Sequence, residues 1–314
     1  MKFSPYKIFT YLVVIIAYIV VIYKLVDYDN YGDLWLHFTK NLSSHWVYLL
    51  ICITLMPVNI LMEAIKWRAA VANIEKISVR QAITATLKGQ VGAIATPNKL
   101  GDFPTRASSL KLGNRTIGTI MGFVAAWTLS IVIILIGMLG AMLYIAEYHT
   151  DSVNSQYLML TAAICIAATI LIFSIPHIAK RINSDRINSP KIKNSLHVLQ
   201  HLEARQLISL SALSLVRYLI FCAQLMFMLM FFGINISIYQ AVISIPTIYL
   251  LSTITPTIVA SEAATRSGYA ILILSPISQA APTIALATSL LWALNCGFPI
   301  IIGSFLFHQT QKHC

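Results

Sequence analysis

Two short stretches of this chain place charged side chains inside otherwise apolar sequence. The first, ATPNKLGDFPTR, covers residues 95 to 106, and the second, TPTIVASEAATR, covers residues 255 to 266. In each stretch an arginine follows an acid by four residues, and the two pairs are Asp102 with Arg106 and Glu262 with Arg266. Side chains four residues apart are neighbours on a helix. Each acid can therefore pair with its own arginine, or separate from it to bind a zwitterionic or cationic group.

Both stretches carry signals of a helix start. Asp102 with Pro104 in the following turn, and Ser261 followed by Glu262, are typical of helix N-caps. A helix N-terminus beside an arginine is a ready site for an anion such as a phosphate. Because both stretches also share an upstream threonine-proline, we interpret them as halves of an internal repeat. The alternative is a chance similarity between two short strings.

Two more ionisable residues lie inside or at the edge of apolar runs. Arg217 is ten residues into the run from 207 to 232, and Glu63 lies near the end of the run from 46 to 65. An ionisable group in hydrocarbon costs about 2.5 to 3.5 kcal/mol on insertion scales, so such groups are rarely idle. We expect both to line or brace a polar cavity. The alternatives are that Arg217 neutralises Glu262 or Asp102, and that Glu63 pairs only with Lys66 or snorkels.

Other polar residues are weaker candidates. Single buried amides often serve only to join helices, and four fall in this class: Asn59, Gln90, Asn98 and Asn295. The five cysteines are scattered without a C-x-x-C pair, so the sequence supports neither a disulfide framework nor a metal site. His197 and His201 stand four apart, but a metal normally needs more ligands.

The composition places all of these groups in a membrane protein. Of the 314 residues, 58% are hydrophobic and 11% are charged, and the mean hydropathy is +0.76. A helix that crosses a bilayer needs about 20 mainly apolar residues. Six runs meet this length, near residues 8–26, 46–65, 117–143, 157–175, 207–232 and 280–307. The sequence therefore predicts an all-α polytopic membrane protein with six full spans. The first run follows Lys2 and Lys7, as in a cleaved signal peptide, but its long apolar core and the lack of a small-x-small cleavage site favour an uncleaved span.

The location of the basic residues, more than the net charge of +11, predicts the orientation. The loops expected inside carry Lys66, Arg68, Lys76, Arg80, Lys111, Arg115, Lys180, Arg181, Arg186, Lys191, Lys193 and Arg205. The opposite loops carry Asp27, Asp29, Asp33, Glu147 and Asp151, with Lys40 and the span-edge Lys24 as their only basic residues. Both termini are therefore expected in the cytoplasm. The basic loop 176–206 would lie against anionic lipid headgroups, which explains its charge without any nucleic acid.

Residues 81–112 and 238–278 are too polar or too broken for ordinary spans, yet too apolar for aqueous loops. Because three predicted spans separate them, they would enter the membrane from opposite sides. Paired interrupted segments in two inverted halves are typical of a substrate site near the bilayer midplane. The sequence thus predicts two oppositely inserted re-entrant helical hairpins whose charged side chains face a shared polar crevice.

Four quoted elements give the chain a family resemblance. EAIKWR ends the second predicted span, PNKLGDFPTR follows it, and SEAATRSG precedes a span that contains LLWALNCGFPIIIG. This pattern resembles the flippase-like membrane domain of lysylphosphatidylglycerol synthetases, over roughly residues 5–307. The resemblance implies a domain that moves aminoacylated phospholipids between leaflets. It also implies that Gly101, Asp102 and Arg106 match the first motif of that family, and that Glu262 matches the second.

The chain departs from the family pattern in three places. Asp102 stands where a glutamate is more usual, and KWR inverts the usual order of arginine and tryptophan. After residue 307 no room is left for a soluble aminoacyl-transferase domain, so we expect a single stand-alone membrane domain over residues 1–314. Lysylphosphatidylglycerol itself is therefore not assumed as the substrate.

The leading hypothesis is a lipid flippase of the cell membrane, whose substrate is a phospholipid or a lipid-linked headgroup that slides through a polar midplane groove. Asp102 and Glu262 would hold cationic or hydroxyl groups, and Arg106, Arg266 and Arg217 would engage the phosphate. Glu63, Asn98 and Gly101 complete the predicted substrate-binding set. The sequence contains no G-x-x-x-x-G-K-[ST] loop, so transport would be passive or coupled to an ion gradient, with no cofactor. Self-association of the chain is left open.

A membrane enzyme that acts on lipid phosphates or lipid-linked sugars is the alternative function. Such an enzyme needs a nucleophile, or paired carboxylates with a metal, at the membrane interface. The acids of this chain are few and stand beside arginines, which favours ligand binding over catalysis. A scaffold without transport or enzymatic activity would leave the buried charges unexplained.

Overall fold

The structure is a computed structural model that describes residue 39 and residues 41–94, 96–148, 155–182, 190–200 and 202–311. Within these ranges the chain is helical and contains no strand, which confirms the predicted helical class. Four helices are long and apolar enough to cross a membrane, with bounds Trp46–Val71, Leu112–Tyr148, Ala204–Phe231 and Ala281–Leu306. Two further segments, Met159–Leu171 and Ser174–Arg181, meet at a 59° bend and count as a fifth if they form one span.

The four long helices coincide with four of the six predicted spans, and the bent pair of segments coincides with a fifth. The bend in the fifth lies within one turn of Pro176, which cannot donate the helical hydrogen bond to the preceding turn. The first predicted span, residues 8–26, lies outside the described residues, as do the predicted loop residues Asp27, Asp29, Asp33, Asp151, Arg186 and His201. The number of six spans and the orientation of the termini stay predictions.

The helices are numbered here in chain order. Their bounds are α1 Trp46–Val71, α2 Val79–Ala93, α3 Asp102–Ala107, α4 Arg115–Tyr148, α5 Ser155–Arg181, α6 Pro190–Gln200, α7 Ala204–Phe231, α8 Ile238–Ile254, α9 Val259–Leu274, α10 Ala281–Trp292 and α11 Phe298–Gln311. Two 3₁₀ turns, Pro97–Lys99 and Leu112–Asn114, flank α3, and a π-helical segment, Ala293–Gly297, joins α10 to α11.

The described residues fall into two compact units. The Asp102 unit comprises the described parts of Val58–Leu135, Ala162–Leu219 and Phe298–Cys314. The Glu262 unit comprises the described parts of Met1–Pro57, Ile136–Thr161 and Ile220–Gly297. Each unit contains one of the two charged stretches and has its own packing.

In the Asp102 unit, the segment predicted as re-entrant forms the helix pair α2 and α3. Ser78 caps α2: its hydroxyl accepts from the Gln81 backbone N–H at 3.2 Å, and the Gln81 side chain accepts from the Ser78 N–H at 2.8 Å. This reciprocal capping box satisfies two backbone donors at the helix start. The helix then packs against α3 on one side and against α11 on another.

In the Glu262 unit, the second such segment forms the helix pair α8 and α9. Ser237 and Gln240 build the same capping box at the start of α8, with hydrogen bonds of 3.2 and 3.0 Å. Helix α8 packs against α9, and α9 packs against α10. Each charged stretch is therefore held by a helical hairpin, while the insertion of these hairpins from opposite sides of a membrane stays a prediction.

The two predicted N-caps are wrong. Gly101 caps α3, and its carbonyl accepts from the Thr105 N–H at 3.3 Å, so Asp102 is the first helical residue. Ile258 caps α9, which begins three residues earlier than predicted. The Ser261 hydroxyl instead accepts from the Ile258 N–H at 3.3 Å, from within the first turn. The sequence pattern identified a nearby helix start but missed the capping residue by one position in the first stretch and by three in the second.

Candidate functional site

A buried carboxylate organises the charged residues of the Asp102 unit. Glu63, on α1, accepts hydrogen bonds from Nη1 of Arg106 at 2.7 Å and from Nη1 of Arg217 at 2.7 Å. Nζ of Lys66 lies 2.9 Å from Oε2 of the same carboxylate. Glu63 therefore pairs with three cations, two of which come from other helices.

Helix α1 supplies three of the polar groups around this carboxylate because their spacing places them on the same side of the helix. Asn59, Glu63 and Lys66 are separated by four and three residues, which puts them on one face of α1. Oδ1 of Asn59 accepts from Nε of Arg217 at 2.9 Å. We call Asn59, Glu63, Lys66, Asp102, Arg106 and Arg217 the Glu63 cluster. All six residues belong to the Asp102 unit.

The predicted pair of Asp102 and Arg106 is present, and it forms the second half of this cluster. Nε of Arg106 donates to Oδ1 of Asp102 at 3.1 Å, and Nη2 donates to Oδ2. The fork of a guanidinium matches the two oxygens of a carboxylate, which makes such pairs strong and directional. The guanidinium also lies 5.7 Å from the ring centroid of Trp67. Two carboxylates and an aromatic ring therefore hold Arg106 in one orientation.

Glycines let α3 come close enough for this pairing. A Cβ on Gly92 would lie 2.7 Å from the carbonyl oxygen of Gly101, and a Cβ on Gly89 would collide with Oδ1 of Asp102. No real side chain tolerates such distances, so α2 and α3 meet backbone to backbone. A Cβ on Gly101 would in turn collide with the carbonyl oxygen of Gly92, so close packing explains the glycine at this position, which the sequence predicts to bind substrate.

The Glu262 unit repeats the pair in a simpler form. Nη2 of Arg266 donates to Oε1 of Glu262 at 2.7 Å, and the guanidinium lies 5.4 Å from the ring centroid of Tyr249. The thiol of Cys296, in the π-helical segment, donates to Oε2 of Glu262 over 3.9 Å. An acid, an arginine and an aromatic ring are thus arranged here as in the Asp102 unit.

Polar contacts join the helices around this second pair. The hydroxyls of Ser267 and Thr288 lie 2.7 Å apart and connect α9 to α10. The Asn295 amide donates to Oε1 of Gln224 at 3.0 Å. Asn295 therefore joins helices, as expected for a single buried amide.

The structure places the predicted site residues in three groups. Asp102, Arg106, Glu63 and Arg217 come together in one cluster, and Glu262 and Arg266 form a pair in the other unit. Asn98 is exposed in the connection between α2 and α3, with a left-handed φ of 49°. Asparagine adopts this region more readily than most residues, which gives Asn98 a conformational role in the turn.

Sequence reasoning missed the roles of several residues. The sequence indicates Lys66 only as a partner for Glu63, and it gives no signal for the ring contacts of Trp67 and Tyr249. The spacing of Asn59, Glu63 and Lys66 on one helical face was the available signal for α1. Arg217 pairs with Glu63, an acid that the sequence analysis did not assign to it.

The arrangement can bind charged or hydrogen-bonding groups, since its donors and acceptors are fixed in position by one another. In the part of the chain that the structure describes, no group of three His, Cys, Asp or Glu side chains is arranged to hold a metal ion.

Comparisons with known proteins assign the chain to a family. No curated protein matches the sequence. The model of the family described as Lysylphosphatidylglycerol synthase TM region matches residues 8–303, which is nearly the whole chain. With several helices able to span a bilayer, this match fits a multi-pass membrane protein of lipid metabolism or transport. The chain therefore belongs to the lysylphosphatidylglycerol synthase TM region family.

Proposed function

We propose that the chain is a lipid flippase that moves a phospholipid or a lipid-linked headgroup between the leaflets of the cell membrane. The observation that carries the proposal is the burial of an acid-arginine pair at the hairpin of each unit. Ionisable groups at membrane depth are costly, so their presence in both hairpins of a multi-pass chain favours a role in handling a charged substrate.

The internal ion pairs suit a headgroup that carries charge. Asp102 and Glu262 would exchange their arginine partners for cationic or hydroxyl groups of the substrate, and the arginines would engage its phosphate. Because each of these acids pairs with its own arginine when no headgroup is present, the charges of the two pairs are compensated before a substrate arrives. The acyl tails stay in lipid while the headgroup follows a polar midplane groove. Transport by this route is passive or coupled to an ion gradient.

The proposal includes the inverted arrangement of the two hairpins. Ser237 lies 159 residues after Ser78, and Thr255 lies 159 residues after Thr96. Matching hairpins of this kind, separated by three predicted spans, support re-entrant segments that enter from opposite sides. The charged pairs would then lie near the bilayer midplane.

Exchange of a fluorescent phospholipid between leaflets of proteoliposomes tests this function. Each of Asp102→Asn and Glu262→Gln removes one negative charge at nearly constant volume. We expect both to abolish exchange while the protein stays monodisperse and folded. Glu203→Gln is the matched control, since Glu203 is exposed at the start of α7 and should leave exchange unchanged.

Two results would overturn the proposal. The first is exchange at the same rate in the wild-type protein, both variants and empty liposomes. The second is a new lipid species in the mass spectrum of wild-type liposomes with no change in leaflet distribution, which would favour the membrane enzyme.

A further inference from the structure

A cavity opens beside the C-terminal end of α1. Its buried wall includes Ala70, Met121 and Leu202, which are 0%, 1% and 6% exposed and belong to one hydrophobic cluster. Helix α6 contributes His197 and Val198 to the lining. All of these residues belong to the Asp102 unit. The cavity therefore lies where α6 packs against α1, α4 and the start of α7.

The exposed part of the lining is polar. Asn73 and His197 are both exposed, so they form the rim of the cavity. Nε2 of Gln206 donates to the carbonyl oxygens of Ala69 and Ala70 at 3.2 Å each, and Oε1 of Gln206 accepts from Nδ2 of Asn73 at 3.0 Å. Hydrogen bonds thus hold two of the polar side chains in position, which reduces the conformational freedom that they lose when a ligand binds.

The residue types of the lining select against a charged ligand. None of the eight described residues that line the cavity is Asp, Glu, Lys or Arg. An ion that entered would lose hydration without gaining an opposite charge from the lining, which is unfavourable. The buried apolar wall and the polar rim instead fit a neutral molecule with an apolar body and one hydrogen-bonding edge.

The volume of the cavity limits the size of that molecule. The cavity measures about 200 Å³. For comparison, an engineered protein cavity of about 150 Å³ with an apolar lining binds benzene. The thioether of Met121 adds a wall that makes favourable contacts with aromatic rings. The space therefore suits one aromatic ring with a small polar substituent, or a bicyclic molecule such as an indole.

We infer that this cavity is a binding site for a small, neutral aromatic molecule, whose ring lies against Met121 and whose polar group lies at the rim. The inference goes beyond the proposed function and does not depend on it. A bound molecule contacts α6 together with α1, α4 and α7, so it holds α6 against the rest of the Asp102 unit. Because the cavity exists only in the folded chain, binding raises the midpoint of thermal unfolding.

Binding of a fluoroindole to the purified full chain in neutral maltoside micelles tests the inference. Fluorine NMR follows the probe, and empty micelles give the background. We expect saturable binding above that background. Three competitors of similar size differ in charge at neutral pH: benzyl alcohol is uncharged, benzoate is an anion and benzylamine is a cation. Benzyl alcohol should displace the probe, whereas the two ions should bind about tenfold more weakly, because the lining offers them no opposite charge.

Substitutions of Val198 change the size of the cavity. Val198→Phe places a ring in the space, so it should abolish saturable binding and, by filling the cavity, raise the unfolding midpoint of the chain without ligand. Val198→Ala widens the cavity and should shift the preference from benzyl alcohol towards the larger naphthol. It provides the test even if Val198→Phe fails to fold. Lys193→Met, at an exposed position of the same helix, is the control and should leave the affinity unchanged.

Several outcomes would overturn the inference. A signal no greater than that of empty micelles would mean that the cavity holds only water. Equal competition by benzyl alcohol, benzoate and benzylamine would contradict the selection for a neutral ligand. Unchanged fluoroindole binding in Val198→Phe, or an unchanged preference in Val198→Ala, would place the probe elsewhere. None of these measurements involves leaflet exchange, so their failure is distinguishable from failure of the proposed function.

Discussion

The two units hold the same charged motif in different surroundings. In both, an arginine pairs with the acid four residues before it and lies over an aromatic ring, Trp67 or Tyr249. In the Asp102 unit a second acid, Glu63, joins the pair and brings two more cations with it. In the Glu262 unit, Nε of Arg266 has no hydrogen-bond partner among the described residues. The spacing of four residues thus determines the acid-arginine pair in each unit. Residues from other helices determine which further charges surround that pair.

The helical hairpins of the two units also differ, in the length of their second helix and in the residues at which the two helices meet. Helix α3 has six residues and touches α2 through glycines, whereas α9 has 16 residues. The positions 159 residues after Gly89 and Gly92 are Ile248 and Leu251. The Asp102 unit therefore brings backbones together at positions where the Glu262 unit carries large side chains, and we expect the hairpin of the Asp102 unit to tolerate less change.

Neutralising Glu63 or Glu262 should give the largest difference in unfolding free energy between the two units. Glu63→Gln leaves three cations with one remaining acid, and breaking a buried pair costs about 3 to 5 kcal/mol of unfolding free energy. Glu262→Gln removes the acid of a single pair, and we expect a loss of about 1 to 3 kcal/mol. Chemical denaturation in detergent micelles measures both. Equal losses would contradict the role of Glu63 as the shared partner of the cluster.

Crowding the short hairpin should have an intermediate effect. In Gly92→Ala the new methyl group meets the Gly101 carbonyl oxygen at 2.7 Å, and the backbone must shift. We expect the unfolding free energy to fall by about 1 to 3 kcal/mol, as for other overpacked sites. Gly113→Ala is the matched control, because no heavy atom lies within 4 Å of its added Cβ. A loss of similar size in both variants, measured by thermal unfolding, would argue against backbone contact between α2 and α3.

Loss of a helix N-cap should have the smallest effect on the unfolding free energy, and the effect should be the same in both units. Ser78→Ala and Ser237→Ala each remove the hydroxyl of a capping box, which is worth about 1 kcal/mol. Because the two boxes have the same hydrogen bonds, the unfolding free energies of the two variants should agree within about 0.5 kcal/mol. A larger gap would mean that the hairpin starts differ despite their matched sequence.

The features that depend on residues close together in sequence could be predicted from the sequence. The helical class and five span locations follow from apolar run length, and the pairs Asp102 with Arg106 and Glu262 with Arg266 follow from their spacing. Both capping boxes also correspond to a local Ser-x-x-Gln pattern, at Ser78 to Gln81 and at Ser237 to Gln240.

The Glu63 cluster was only partly predictable because its contacts are long-range. Glu63 is 43 residues from Arg106 and 154 residues from Arg217 in sequence. The polar identity of these residues in apolar runs marked them as candidates. Which acid meets which arginine depends on helix packing, which a single sequence does not specify.

The close contact at Gly303 gives the α2 hairpin a dependence on synthesis order. A Cβ on Gly303 would lie 2.9 Å from the carbonyl carbon of Leu87, so α11 presses directly on the backbone of α2. Helix α2 leaves the ribosome roughly 200 residues before α11 does, and contacts between distant segments form late. During that interval the side of α2 that packs against α11 has no partner from α11, so the hairpin completes its packing only after α11 has been synthesised.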